Sequence, residues 1–395
     1  MDKKMKSDID PESAIEPTRS HLGEVLDKTI QEDAVFGAIQ EGDTNYRDVS
    51  WMGTMALMVK TQIGLGVLSM PKVFDTLGIL PGIILLIVIA GMTTWSNWMI
   101  GVFKLLHPAV YGIDDVGKML FGRIGFELFG AMYTLYWIFS GGSALLSISI
   151  SFNALTDHGT CTAVFVAVAA IIAFMFSSIQ TLARISCLHC DSRGRDSRPP
   201  PPIDGVVFQS DYKLFGNPSF IDAMTAVSTI SLTYAGTPAF FNIVSEMRDP
   251  QYYNRALAIC QVLVTVIYIV VGTVVYYYCG SYVASPALGS AGILIKKVSY
   301  GFALPGLSVS AILLLHLPAK HVFVRILRGT PHLTGQTMVH WVTWLGSTSS
   351  IVTVAYIVAS SIPVFSDLVA LVGALLATSL CFQPMGYSKY TEYQF

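Results

Sequence analysis

Charge is what this sequence has least of. Of its 395 residues, 13% are Asp, Glu, Lys or Arg, against roughly 25% in soluble domains. A soluble chain of this length would divide into two or three domains with polar shells, and there is too little charge here to cover them. Cysteine is sparse as well, with six scattered copies and no metal-binding array. Cys187 and Cys190 in CLHC have no second pair to complete a site, so chance spacing explains them. No HExxH, Gly-x-Ser-x-Gly or phosphate-binding loop occurs, and GIDD at 112–115 falls in a loop, so nothing points to an enzyme. Basic clusters are missing outside short loops, which excludes nucleic acid as a partner. A glycosylation site is missing too, because proline blocks the NPS at Asn217.

What is there is apolar. Hydrophobic residues make up 53% of the chain, and the mean hydropathy is +0.57. These values describe an all-α polytopic membrane protein. About 20 apolar residues cross a bilayer as helix, and nine stretches qualify: 51–74, 79–104, 125–152, 161–182, 219–244, 256–283, 302–322, 338–362 and 363–382. Ahead of them, residues 1–50 hold twelve acids against six basic residues. This arm reads as largely disordered and cytoplasmic. It is a plain solvated tail that offers Lys3, Lys4, Lys6 and Lys28 to sorting or ubiquitin machinery.

Lys and Arg near span ends set orientation, since they collect on the cytoplasmic side. Lys104, Lys118 and Arg123 follow span two, Arg184 ends span four, Arg248 and Arg255 follow span five, and Lys320, Arg325 and Arg328 close span seven. With the N-terminus cytoplasmic, Arg184 and Arg248 belong on one side, yet a single span separates them. The stretch 185–207 between them, ISCLHCDSRGRDSRPPPPIDGVV, is charged and carries four consecutive prolines. It cannot cross lipid. The expectation is that the second half inserts inverted, or that span four or five fails to cross, and that uptake by the chain as written is negligible. Cys161 and Cys279 both fall at outer span ends, where a disulfide between them is an expectation.

Two spans carry helix breakers. TQIGLGVLSMP at 61–71 suggests a break over 63–66, and TYAGTP at 233–238 combines Gly236 with Pro238. Broken backbone survives at membrane depth only when buried in protein or lining a cavity. Paired interruptions point to a transport site, where freed half-helix ends face the substrate's charged groups. That places Ile63, Gly64, Leu65, Gly66 and Val67 on one side of a substrate, and Thr233, Tyr234, Ala235, Gly236 and Thr237 on the other. Tyr234 and Phe240 would wall its side chain. Two ionisable groups lie inside spans, Lys60 and His316, and both are candidates for cation coupling. Glu246, Arg248 and Asp249 at the end of span five are candidates for a gate.

Three motifs in order, KTQIGLGVLSMPKVF at 60–74, LTYAGTPAFFNIVSEMRDP at 232–250 and HLPAKHVFVRILRG at 316–329, resemble the amino acid/auxin permease family, in its fungal neutral amino acid permease branch. The resemblance covers 48–184 and 208–384. It implies a LeuT-like fold of eleven helices in two inverted repeats, from which the fifth helix (replaced at 185–207) and the eleventh are missing. It also implies import of neutral L-amino acids across the plasma membrane rather than the vacuolar membrane, with a proton as coupling ion and no other cofactor. Sodium-coupled relatives have an asparagine ligand near Lys60, and a lysine ammonium would fill that site. The organisation is then a tail at 1–47, a first bundle at 48–184, an anomalous segment at 185–217, a second bundle at 218–384 and a tail at 385–395. The same pocket would also suit a nutrient sensor, and a transport-defective product is the third reading.

Overall fold

The computed structural model describes residues 31–33, 37–39, 48–157, 159–178, 210–290, 293–333, 335, 337–362 and 365–382. The Cys187–Cys190 pair, the stretch 185–207, the N-terminal lysines and the tail at 385–395 lie outside them. Within the acidic arm, β1 (Gln31–Asp33) pairs antiparallel with β2 (Gly37–Ile39), Gln31 facing Ile39.

Helices account for almost everything else. The chain enters α1 (Trp51–Leu77) through Ser50, whose side chain accepts the Gly53 N–H at 3.2 Å, a cap that satisfies one of the helix's orphan donors. It then runs through α2 (Ile79–Leu106), α3 (Ile113–Thr156) and α4 (Thr162–Ser177). A further cap, Ser219 accepting from Asp222 N, starts α5 (Phe220–Thr233), and α6 (Thr237–Ser245) follows after a three-residue turn. The remainder is α7 (Tyr253–Cys279), α8 (Ile293–Leu327), α9 (Met338–Ser361), α10 (Phe365–Val372), a π-helical turn Gly373–Ala377 and α11 (Thr378–Cys381). Among the described residues, five helical segments are long and apolar enough to cross a membrane: Ile79–Leu106, Ile113–Thr156, Pro250–Tyr282, Lys296–Leu327 and Met338–Ser361. Their outward side chains are apolar too. Ile84 on α2, Ile171 on α4 and Val262 on α7 are each more than half exposed. Water would not tolerate so broad an apolar surface; lipid does.

Three sequence expectations need correction here. First, α1 is one continuous helix, so the break expected over 63–66 is not made. Glycine in a helix costs only about 1 kcal/mol, Pro71 removes a single donor, and packing along α5 and α7 holds α1 together. Second, GIDD is not all loop, because Asp114 and Asp115 form the first turn of α3. That helix then kinks at Phe121 and Gly122, the latter at φ 63°, a left-handed conformation that glycine adopts without strain. Third, Cys161 and Cys279 are both free thiols. Cys161 starts α4, which packs on α3, α8 and α9, whereas Cys279 ends α7, which packs on α1 and α2. A disulfide needs their Cα atoms within about 7 Å.

Helix directions locate the orientation conflict. Val49 pairs with Met247 in a short parallel bridge, so the start of α1 and the end of α6 share one end of the bundle. Gly216 N–H donates to Leu77 O, and Ile79 and Leu80 N–H donate to Lys213 and Leu214 carbonyls, so the residues before α5 lie at the other end. The Ser281 O–H and N–H both donate to Asp211 there, at 2.6 and 2.8 Å, and hold its carboxyl below the usual range. Helix α4 begins beside the end of α3, where Ser149 Oγ donates to Thr162 O. It ends with Ser177 and Ser178 carbonyls against His316 and Trp344, one turn from Lys320. Both α4 and α5–α6 therefore run toward the Val49 end, and the described chain stops near that end at Ser178 and resumes at the opposite one at Ser210.

Candidate functional site

Where α1 crosses α5 in antiparallel fashion, the two breaker motifs meet after all. A Cβ on Gly66 would lie 2.7 Å from Thr233 Cβ and 2.8 Å from Tyr268 Oη, and one on Gly236 would lie 3.0 Å from Thr61 Oγ1. The glycines are there because the helices touch. Only the second motif is broken. After Thr233 the chain makes a turn over Tyr234–Gly236, with Gly236 N–H reaching Tyr234 O at 2.8 Å, and α6 restarts with Pro238 in its first turn.

Such a turn strands carbonyls that lipid cannot satisfy, and two tyrosines supply the missing donors. Tyr136 on α3 donates to Ala235 O at 2.5 Å. Tyr268 on α7 lies 3.0 Å from Thr233 O and 2.7 Å from Gln62 O on α1. A phenol has one proton, so Tyr268 serves one of these carbonyls at a time and couples α1 to the break. Tyr234 itself points away and donates to Thr265 Oγ1 at 3.0 Å.

A cavity of about 40 Å³ opens beside this junction, room for a few waters. From α1 it is lined by Lys60, Thr61, Gln62 and Gly66, and from α3 by Tyr136, Trp137, Ser140 and Ser143. Leu232 and Thr233 of α5, Leu314 of α8 and Val369 of α10 complete it. Lys60 is the charged member of the lining. It is half-buried, and among the described residues it forms no ion pair. Its ammonium extends toward α8, where a Cβ on Gly306 would stand 3.9 Å from Nζ. In the same lining, both polar side-chain atoms of Gln62 are buried without a protein partner. Buried polar groups are nearly always satisfied, so these are the atoms a ligand or water would engage.

Of the ten expected substrate-binding residues, Gly66 and Thr233 line the cavity. Ile63 and Val67 are half-buried on α1; Tyr234, Ala235 and Thr237 are buried around the turn outside the lining, as is Phe240. Gly64 and Leu65 lie within α1, and Gly236 abuts Thr61. His316 is outside the lining as well: its Nδ1 meets Ser177 O at 3.0 Å and its ring stands edge-on to Trp344, a helix-to-helix contact. The residues that sequence reasoning passed over are Gln62, Tyr136, Ser140, Ser143 and Tyr268. Each is a polar group inside an apolar span, and asking where its hydrogen bond goes would have flagged it.

The expected gate divides into parts. Glu246 is buried and pairs with Lys320 at 2.7 Å, each 2% exposed or less. Arg248 pairs instead with Asp48 at 2.7 Å on the surface, and Asp249 is exposed and forms no ion pair among the described residues. Next to the buried pair, His321 lies 3.6 Å from Asp114 and against the Tyr133 ring. Farther out, Arg325 pairs with Glu127 and Arg328 with Asp115. Lys320, a flanking charge by its place near the end of span seven, is in the fold sealed against Glu246. With the Val49–Met247 bridge, these contacts tie the helices together at the Val49 end of the bundle.

Comparison with known proteins identifies the family. The family model described as "Transmembrane amino acid transporter protein" matches residues 47–190 and 207–384, and the interruption falls within the polar, proline-rich stretch. The chain is 32% identical over 353 residues to a "Transmembrane transporter" of Gibberella moniliformis, covering 86% of this chain and 73% of that protein. It is 31% identical over 344 residues to a "Transmembrane transporter" of Fusarium pseudograminearum, covering 84% and 72%. A third relative, the "N amino acid transport system protein" of Neurospora crassa, is 31% identical over 370 residues, covering 89% and 79%. The match covers most of the bundle of apolar helices, and this chain belongs to the transmembrane amino acid transporter family.

Proposed function

We propose that the protein imports neutral L-amino acids across the plasma membrane by proton symport and alternating access, in a LeuT-like arrangement with its N-terminus cytoplasmic. The observation that carries this reading is the cavity between α1 and the broken α5–α6 segment, with Lys60 as its one ammonium; at about 40 Å³ it is a contracted form of the site, which widens to admit an amino acid. A substrate carboxylate gives that ammonium the counter-ion it lacks and Ser140 adds a hydroxyl, while Thr61 and Ser143, which donate to Met58 O and Ser140 O, offer lone pairs to the substrate ammonium. Tyr136, Trp137, Leu232 and Leu314 leave an apolar wall for the side chain, with no carboxylate to receive a cationic one. Lys60 then carries the coupling proton: charged, it holds the substrate, and neutral, it releases it. The antiparallel pairing of α1 with α5–α6, and the basic residues Lys104, Arg248, Arg325 and Arg328 gathered at the Val49 end, support the repeat arrangement and the orientation.

The test is uptake into proteoliposomes under an imposed pH gradient. Uptake follows the gradient, collapses with a protonophore and persists when choline replaces sodium, and Lys60→Met abolishes accumulation. A strict sodium requirement, or wild-type accumulation by Lys60→Met, overturns the proposal. One observation favours a second reading, a chain that assembles the site but does not complete transport. Ser178 and Ser210 lie toward opposite ends of the bundle, and the family match is interrupted between them. Replacing 185–207 with about 20 apolar residues decides between the two, because uptake that depends on the replacement favours the second.

A further inference from the structure

At the Gly78 end, beyond the cavity just described, a second and larger cavity of about 210 Å³ lies between α1 and the start of α5. Val369 of α10 lines both, so the two spaces adjoin at that side chain. The larger one differs in chemistry. It presents a cation from α1, Lys72, and an anion from α5, Asp222, with Thr225 and Thr229 along α5. Ser69, one turn below Lys72, is 3% exposed and its hydroxyl has no partner. An unpartnered buried hydroxyl in the wall of an open polar cavity calls for a ligand or water.

We propose that this cavity is a second amino acid site, a vestibule in which a zwitterion is held before it passes Val369. Lys72 receives the carboxylate and Asp222 the ammonium. Lys72 donates one of its three N–H bonds to Asp75 at 2.7 Å, which fixes the ammonium and leaves two donors. Asp222 accepts from Ser219 Oγ through Oδ2 at 2.6 Å, and Oδ1 remains for the ligand. Ser69 adds a hydroxyl to the carboxylate. Counting Asp75, the mouth carries two carboxylates against one ammonium, so it discriminates against anionic amino acids. This inference rests on the amino acid reading of the inner cavity and adds a staging step outside it.

The experiment is equilibrium binding of tritiated L-alanine, L-leucine and L-glutamine, each in turn, to the full-length purified chain, with L-glutamate as the anionic comparison. Two molecules bind per chain at saturation, and Asp222→Asn or Lys72→Gln reduces this to one or weakens one site tenfold or more. Asparagine retains the acceptor that Ser219 uses, and thermal unfolding of each variant checks that the fold is kept. In Lys60→Met the remaining site is the one sensitive to Asp222→Asn. A single site in the wild type, unaffected by both vestibule variants, overturns the vestibule and leaves the inner site standing. Binding of none of the three probes overturns the inner reading and the vestibule together, and L-glutamate bound as tightly as L-glutamine refutes the charge argument.

Discussion

Replacing Tyr268 by Phe removes one hydroxyl and keeps the ring, so it isolates the coupling between α1 and the broken segment. The hydroxyl reaches Gln62 O at 2.7 Å and Thr233 O at 3.0 Å, and the residue is wholly buried. Gln62 O sits inside a continuous helix and has an intrahelical donor. Thr233 O is the last carbonyl of α5, so it loses the partner that capped it. A buried acceptor left unpaired costs about 1–3 kcal/mol, whereas interhelical hydrogen bonds in membranes average about 0.6 kcal/mol, with a maximum near 1.7. Thr233 lines the 40 Å³ cavity, and a water there can take over part of the role. The expected loss is therefore about 1 kcal/mol, roughly a fivefold change in the folded ratio. Tyr136→Phe acts on Ala235 O of the same turn, so the double variant departs from additivity by about 0.5 kcal/mol or more. The measurements are thermal unfolding in detergent and tritiated L-alanine binding for both single variants and the double variant. If Tyr268→Phe unfolds and binds like the wild type, or if the two effects simply add, the tyrosines do not hold the break.

Two further outcomes follow from the packing. Gly66→Ala places a methyl within 2.8 Å of Thr233 and Tyr268 atoms, whereas a Cβ on Gly91 of α2 meets nothing within 4 Å. Gly66→Ala should lower thermal stability by about 1–3 kcal/mol, and Gly91→Ala should leave it unchanged or raise it by up to about 1 kcal/mol. Equal melting temperatures for the pair would remove the close approach of α1 and α5. At the Val49 end, Lys320→Met strands Glu246, whose Oε1 already lacks a partner, at about 3–5 kcal/mol. Adding Glu246→Gln should recover most of that loss, and a double variant as unstable as the single would show that the pair is not what ties the helices together at this end.

Membrane residence, the helical class and the approximate spans were legible in the sequence because they depend on local composition: a run of about 20 apolar residues must be helical in lipid whatever surrounds it. Family motifs carried the functional class for a similar reason. Gly236 and Pro238 marked a real break, since proline withholds its donor in any context. What the sequence could not settle was which glycines break a helix and which merely let one approach. Gly66 and Gly236 look alike in one dimension. In the fold, Gly66 sits in unbroken helix against Thr233 and Tyr268, while Gly236 sits in a turn whose carbonyls are held by tyrosines from α3 and α7. The same holds for charge. Lys320 and Arg325 read as equal flanking cations, yet one is sealed against Glu246 and the other faces Glu127 nearer the surface. Sequence spacing fixes the depth of a residue along its own helix. Its neighbours come from helices distant in the chain, and only tertiary packing decides whether a polar group meets a partner, a cavity or lipid.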